Sequence, residues 1–381
     1  MGIAFLFRRA YSKGTSGSQD WLRCISVPVE PEPARTGGGK VWILQSLTPF
    51  GNMEIYMRNL SLIAGLLLGS AAVADTPVLT VYTYDSFVSD WGPGPAVEAA
   101  FEAQCSCDLQ MVGAGDGAAL LSRVKLEGSR SEADIVLGID TNLMAAAMDT
   151  GLFEPVSIVA DYAVPGGWDD KFFTPFDWGY FAFVQNVGAE TVTNFRELAA
   201  SDLKIVIQDP RSSTPGLGLL MWVKAAYGAD AQEIWNDLDD NIVTVTAGWS
   251  EAYGMFLEGE ADMVLSYTTS PAYHIIAEQD NSKTFAVFDE GHYMQVEVAG
   301  KLSSTDQPML ADQFLKFMVS NVFQEIIPTT NWMFPAVTPM TGLPEGFPKA
   351  LSTKKSLIFS PSDAAALRKD ALLEWQTALS Q

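Results

Sequence analysis

Six aromatic residues lie beside turns instead of inside apolar runs: Tyr84, Trp91, Trp249, Tyr267, Tyr273 and Trp332. They lie at the ends of strand-like segments or close to Gly, Pro, Ser, Thr and Asn. A typical aromatic fills a core, but six gathered at one cleft would sandwich a flat ring and attract a cation through their π faces. Asp85, Asp116 and Glu251 stand close to them in sequence and would pair with positive charge or accept from an amino group. The segment Gln208-Asp-Pro-Arg-Ser-Ser-Thr-Pro-Gly-Leu-Gly follows a strand pattern and opens a helical one. Ser213 or Thr214 before Pro215 makes a good helix start, where free N–H groups either bind an anion or hydroxyl or simply receive a cap.

Other chemistry is poorly provided for. There is no P-loop, no H-E-x-x-H and no G-x-S-x-G, and the Gly113–Gly117 turn lacks a full dinucleotide fingerprint. His274 reads as opening a helix and His292 as lying in a turn. Cys105 and Cys107 with two distant histidines do not make a zinc pattern, so no metal and no cofactor are expected. In an oxidising compartment the C-x-C pair could close a small disulfide ring, although residues i and i+2 of an extended chain sit at the long edge of bridging geometry.

The elements that must position these residues alternate. Strand patterns at Val78–Tyr84, Asp108–Val112 and Ala133–Ile139 alternate with helical ones at Pro95–Gln104, Ala118–Glu127 and Asn142–Met148. Residues 155–178, rich in Pro, Gly and aromatics, read as surface or interdomain chain. A second block runs from the strand Tyr180–Val184 through Asn194–Ala200, Lys204–Gln208, Leu217–Tyr227, Ala231–Leu238 and Ile242–Thr246 to the stretch Gly248–His274. Beyond it come strands at Thr284–Phe288 and Met294–Val298, one amphipathic helix over Leu310–Ile327 and a last helix opened by Ser360-Pro361. Such alternation predicts an α/β fold with parallel strands. Two lobes are expected: residues 75–178 begin the first, 179–270 form the second, and 271–381 return to the first through hinge crossings. A cleft between lobes, at the carboxyl ends of the strands, is where such folds place ligands.

The N-terminus is of another kind. Residues 57–74 read as a secretory signal: Arg58, the apolar run Leu60–Leu68 and the cleavage site Ala72-Val73-Ala74. The apolar run is shorter than the roughly 20 residues of a spanning helix. Residues 1–56 read as an extension upstream of the true start at Met57 or Met53. Residues 1–74 hold 7 of the 23 basic and 4 of the 46 acidic residues, so the remainder carries a net charge of −26. That charge repels nucleic acid and favours a cationic ligand at long range.

The blocks VYTYDSFVSDWGPGPAVEAAFE, GDGAALLSRVKLEG, ADIVLGID, FDWGYFAFV, QDPRSSTPGLGLLMWV, GWSEAYGMFLEGEADMVLSYTTSPAYH, EGHYMQVEVA and TTNWMFP resemble the thiamine-binding periplasmic proteins of bacterial thiamine ABC transporters. The resemblance runs from about Thr80 to the last helix. It implies a two-lobed type II periplasmic binding protein fold closing on thiamine or its mono- and diphosphate. It further implies a monomer delivering the vitamin to a membrane permease driven by a separate ATPase, and no catalysis. Ring contacts are implied at Tyr84, Trp91, Trp249, Tyr273 and Trp332, and polar contacts at Asp116, Gly117, Ser213, Thr214 and Tyr267, Thr268, Thr269 and Ser270. The alternatives are a thiaminase-like enzyme on the same fold, or a binding protein for another cation such as ferric iron or a polyamine.

Overall fold

Regular apolar spacing sets out a first β/α block: β1 (Val78–Thr83), α1 (Asp85–Val88), α2 (Gly94–Cys105), β2 (Asp108–Gly113), α3 (Gly117–Glu127), β3 (Ile135–Asp140) and α4 (Met144–Met148). β1 lies between β2 and β3, parallel to both, as helical crossovers require. These elements come from a computed structural model that describes residues 76–348 and 355–380. The upstream extension (1–56) and the signal segment (57–74) lie outside the described residues.

The long strand β4 (Phe173–Asn186) leads into a second block: α5 (Phe195–Ala200), β5 (Ile205–Gln208), α6 (Thr214–Tyr227), α7 (Ala231–Leu238), β6 (Ile242–Thr246), α8 (Trp249–Leu257) and β7 (Met263–Tyr267). Here β5 lies between β6 and β7, again parallel to both. There follow α9 (Pro271–Tyr273), β8 (Lys283–Phe285), β9 (His292–Lys301), α10 (Pro308–Met318), α11 (Asn321–Thr330), β10 (Phe334–Pro335), β11 (Ser356–Leu357) and α12 (Pro361–Ala378).

The strand order β2-β1-β3-β9-β4-β7-β5-β6 joins the blocks through β9 and β4. β4 pairs antiparallel with β9 from Phe173 to Tyr180, then with β7 from Phe181 to Gln185. β9 pairs on its other edge with β3 over Glu297–Lys301. One strand thus passes from one lobe to the other. One buried apolar cluster runs through both lobes, with two smaller ones beside it. Phe101 packs edge-on against Phe314 under α2 and α10, and Phe195 meets Trp222 and Phe288 edge-on in the second lobe.

Four expectations need correction. Residues 173–178 are buried strand and not surface chain: Pro175 sits where the register shifts, the bulge position at which a strand tolerates proline. The helix expected over Leu310–Ile327 is two helices, because Ser320 accepts from the Phe323 N–H and starts α11 anew. The return to the first lobe does not begin at 271. β8 pairs with the far end of β4, and α12 packs against α6 and α7 as well as α4. His292 opens β9, buried, instead of lying in a turn; its ring bonds the Phe181 carbonyl and the Phe288 N–H.

Cys105 and Cys107 are joined in a disulfide. The chain between them is not extended: Ser106, at φ 53°, turns left-handed after α2 and brings the two Cα atoms to 5.2 Å.

The crossing strands carry an unusual load. Asp177 on β4 faces Glu297 on β9 in register, and Asp140 on β3 faces Glu297 from the other side. All three are buried. Their donors are neutral. The Asn331 amide gives to Asp177 at 2.6 Å, Gln295 and the Tyr84 hydroxyl give to Glu297 at 2.7 and 2.9 Å, and Asn142 gives to Asp140 at 2.6 Å. Burial therefore pushes the Asp177 carboxyl up to about 8 and that of Asp140 to about 7. Burial, then the neighbouring Asp177 charge, raises Glu297 well above the usual carboxylate range. A carboxyl raised in the folded state contributes stability fully present below its unfolded value, here 3.8, and lost as pH rises through about 8. Urea unfolding should thus show a decline in stability between pH 4 and pH 8 that is shallower in Asp177→Asn, by up to about 1.4 kcal/mol per pH unit. Parallel pH curves for the two proteins would contradict the protonation of this pair.

Candidate ligand cleft

The turns at the carboxyl ends of β1, β2, β5, β6 and β7 bring the singled-out residues together from two lobes. On the first lobe, Tyr84 follows β1, and its ring covers Gly138, where φ is 103° and any side chain would collide with the ring. Its hydroxyl donates to Glu297 and accepts from Asn331 at 2.9 Å. Burial, then the Glu297 charge, holds that phenol well above its usual range. Asp85 accepts from the Gly115 N–H at 3.0 Å, so its carboxylate braces the loop that carries Asp116. Trp91 is 38% exposed.

Two helix starts meet across the lobes. Asp116 caps α3, accepting from the Gly117 N–H at 3.0 Å, and its other oxygen accepts the Ser213 hydroxyl at 2.7 Å. Burial pushes this carboxyl up, against the lowering effect of Ser213 and of the Gly117 and Trp249 backbones. Ser213 in turn caps α6, and the Ala119 N–H of α3 donates to the Ser212 carbonyl at 3.0 Å. Gly117 fits because it has no side chain: a Cβ there would clash with Thr214 Oγ1 and stand 2.8 Å from the Gly138 carbonyl. The Thr214 and Thr268 hydroxyls are buried without a partner among the described residues, the kind of polar group a ligand satisfies.

The second lobe supplies an aromatic wall. The Trp249 indole N–H donates to Ser266 Oγ at 2.8 Å, and that hydroxyl meets Ser270 Oγ at 2.7 Å. Ser270 also accepts from the Tyr267 N–H at 3.1 Å. The Trp249 ring stacks on Tyr253, centroids 4.9 Å apart, and faces Trp91 of the first lobe at 6.2 Å and 51°. Tyr273 meets Trp332 edge-on at 5.4 Å, with Trp332 held at φ 57°.

Not every candidate is free to meet a ligand. Tyr267 stacks on Phe181 and donates its hydroxyl to Gln295 at 2.9 Å, so its phenol belongs to the buried network. Thr269 is buried with its hydroxyl on the Met333 sulfur at 3.8 Å. Glu251 accepts from the Ala247 N–H at 3.4 Å and braces its own turn. His274 is buried, between Tyr253 and Glu278. Residues that sequence reasoning passed over are Asp177, Gln295, Glu297, Asn331 and Tyr253. One signal was present for two of them: Gln295 and Glu297 alternate with apolar residues in a buried strand, marking one polar face turned inward.

Comparison with known proteins agrees with this architecture. Residues 95–325 match the family of bacterial extracellular solute-binding proteins. A thiamine-binding periplasmic protein of Escherichia coli (strain K12) is 53% identical over 321 residues, spanning 83% of this chain and 98% of that one. Its namesake in Brucella melitensis biotype 1 is 47% identical over 332 residues, spanning 85% of this chain and 98% of the relative. The solved structure of a periplasmic thiamin binding protein superposes with a TM-score of 0.78 at 52% identity, covering 80% of this chain and 97% of that one. The two α/β lobes with their crossing strands are therefore the type II periplasmic binding protein fold, and the chain belongs to the bacterial extracellular solute-binding protein family, among the thiamine-binding periplasmic proteins.

Proposed function

We propose that this protein captures thiamine, together with its mono- and diphosphate, in the periplasm and hands it to an ABC-type permease driven by a separate ATPase. It is a solute-binding protein, exported through a cleaved signal, and it acts as a monomer. Of the fourteen residues expected to meet the ligand, this reading keeps Tyr84, Asp85, Trp91, Asp116, Gly117, Ser213, Thr214, Trp249, Thr268, Ser270, Tyr273 and Trp332 around it and sets Tyr267 and Thr269 behind them, bonded to Gln295 and Met333.

The observation that carries the reading is the pair Trp91 and Trp249, one from each lobe, with Tyr273 and Trp332 repeating the arrangement nearby. Rings divided between two closing lobes suit a flat aminopyrimidine and a cationic thiazolium, each stack adding about 0.5–1.5 kcal/mol beyond burial. The start of α6 at Ser213 and the unpartnered hydroxyls of Thr214 and Thr268 suit the hydroxyethyl tail or its phosphate. Closure across Asp116–Ser213 gives the permease a surface that exists only in the loaded form.

The alternatives find less support. A thiaminase-like reaction needs a thiol nucleophile in the cleft. The two cysteines are bonded to each other, before the amino end of β2 and not at its carboxyl end. Iron calls for free phenols, whereas Tyr267 and Tyr273 spend theirs on Gln295 and Glu278.

Calorimetry with thiamine tests the assignment. Trp249→Ala should weaken binding at least about tenfold, which is about 1.4 kcal/mol, without loss of the fold; unchanged affinity would remove Trp249 from the site. Gly117→Ala should keep each lobe folded while a methyl group wedges against Thr214. X-ray scattering would then show the variant with thiamine remaining more extended than the parent with thiamine. Equal compaction of the two would contradict the close approach of α3 and α6 as part of closure.

A further inference from the structure

The aromatic wall of the second lobe ends in a carboxylate that no ligand-binding role explains. After α9 the chain makes a single π turn, His274–Glu278, closed by Gln279 in a left-handed conformation at φ 57°. π turns are rare and concentrate at functional sites. Here the widened turn lets one residue serve two rings. Glu278 Oε1 accepts the Tyr273 hydroxyl at 3.1 Å, and Oε2 lies 2.7 Å from His274 Nδ1. A carboxylate can only accept, so Nδ1 carries a proton, and Nε2 is hydrogen-bonded to the Tyr253 hydroxyl, 3.0 Å away. The His274 ring lies nearly parallel to Tyr253, centroids 6.0 Å apart at 17°, and Tyr253 stacks on Trp249.

From these contacts we infer that Glu278, acting through His274 and Tyr253, is the positioning residue of the aromatic wall, setting Trp249 and Tyr273 together. Both rings it governs reach across to the first lobe, Trp249 to Trp91 and Tyr273 to Trp332. One carboxylate outside the ring contacts therefore fixes the geometry of both interlobe aromatic pairs. His274 is fully buried and Tyr253 nearly so, so the relay is held by packing at its centre, while the Glu278 side chain is 45% exposed and can be truncated without opening the core. The inference deepens the thiamine reading and rests on it for the affinity effects only.

The test is a double-mutant cycle of Glu278→Ala and Tyr253→Phe, read in two ways. In the ligand-free protein labelled with 5-fluorotryptophan, the Trp249 resonance, assigned with Trp249→Phe, should shift in each single variant. The double variant should show little further change, because both cut the same relay. With thiamine, each single variant should weaken binding about tenfold and the double variant much less than a hundredfold, the non-additivity of residues acting as one unit. An unmoved Trp249 resonance in Glu278→Ala, or additive losses in the double variant, would overturn the proposal. If the parent protein bound no thiamine, the functional reading would fail, and the fluorine arm would still decide whether Glu278 positions Trp249.

Discussion

Two antiparallel strands connect everything else. β4 belongs to both lobes, pairing with β9 over half its length and with β7 over the rest, so any movement of one lobe on the other bends this crossing. Into that crossing the sequence places Asp177, Glu297 and Asp140, where apolar residues would be easier to bury. Neutral side chains donate to them, Tyr84 and Gln295 to Glu297, Asn331 to Asp177 and Asn142 to Asp140, while Oδ1 of Asp177 and of Asp140 has no partner among the described residues. Burial raises all three carboxyls, which favours their neutral forms and lessens the cost of desolvating full charges. The network then ties the hinge to the cleft, since Tyr84 and Tyr267 hold both ends of it.

Against that stiff crossing, what joins the lobes at the mouth is weak. Across the cleft run the bond from Ser213 to Asp116, a backbone bond from Ala119, the contact of Thr269 with the Met333 sulfur and the ring contacts Trp91–Trp249 and Tyr273–Trp332. A hydrogen bond of this kind contributes on the order of 1 kcal/mol net, so such a seam opens and recloses easily. Under the proposed function, a ligand that stacks between the rings and satisfies Thr214 and Thr268 would bias the equilibrium through contacts made only in the closed form. Burial in the shared core provides stability, and under the proposed function the sparse seam leaves closure to the ligand.

The sequence made much of this legible, for identifiable reasons. Helices and strands with regular spacing, such as Ala231–Leu238 and Ile242–Thr246, stand where periodicity puts them. The turn residues Asp116, Ser213, Trp249 and Tyr273 can be singled out because polar and aromatic groups beside Gly and Pro have no core role to explain them. Residues 173–178 mislead because Pro175 reads as a loop signal until the bulge that accommodates it is known. The break after α10 is hidden by an apolar spacing that continues past Ser320. The buried acids are hidden for a different reason: among many carboxylates, only strand register shows that Asp177 and Glu297 face each other. The relay from Glu278 to Trp249 depends on a π turn, which the spacing of apolar residues does not encode.

Under the proposed function the cleft closes on a flat, cationic ring system. Tryptophan fluorescence of the exported protein, titrated separately with thiamine, spermidine and ferric citrate, tests it most directly, because Trp91, Trp249 and Trp332 all stand at the seam. Thiamine should give a large, saturable change at low concentration, and the other two none. A saturable response to spermidine or ferric citrate, with thiamine silent, would contradict it.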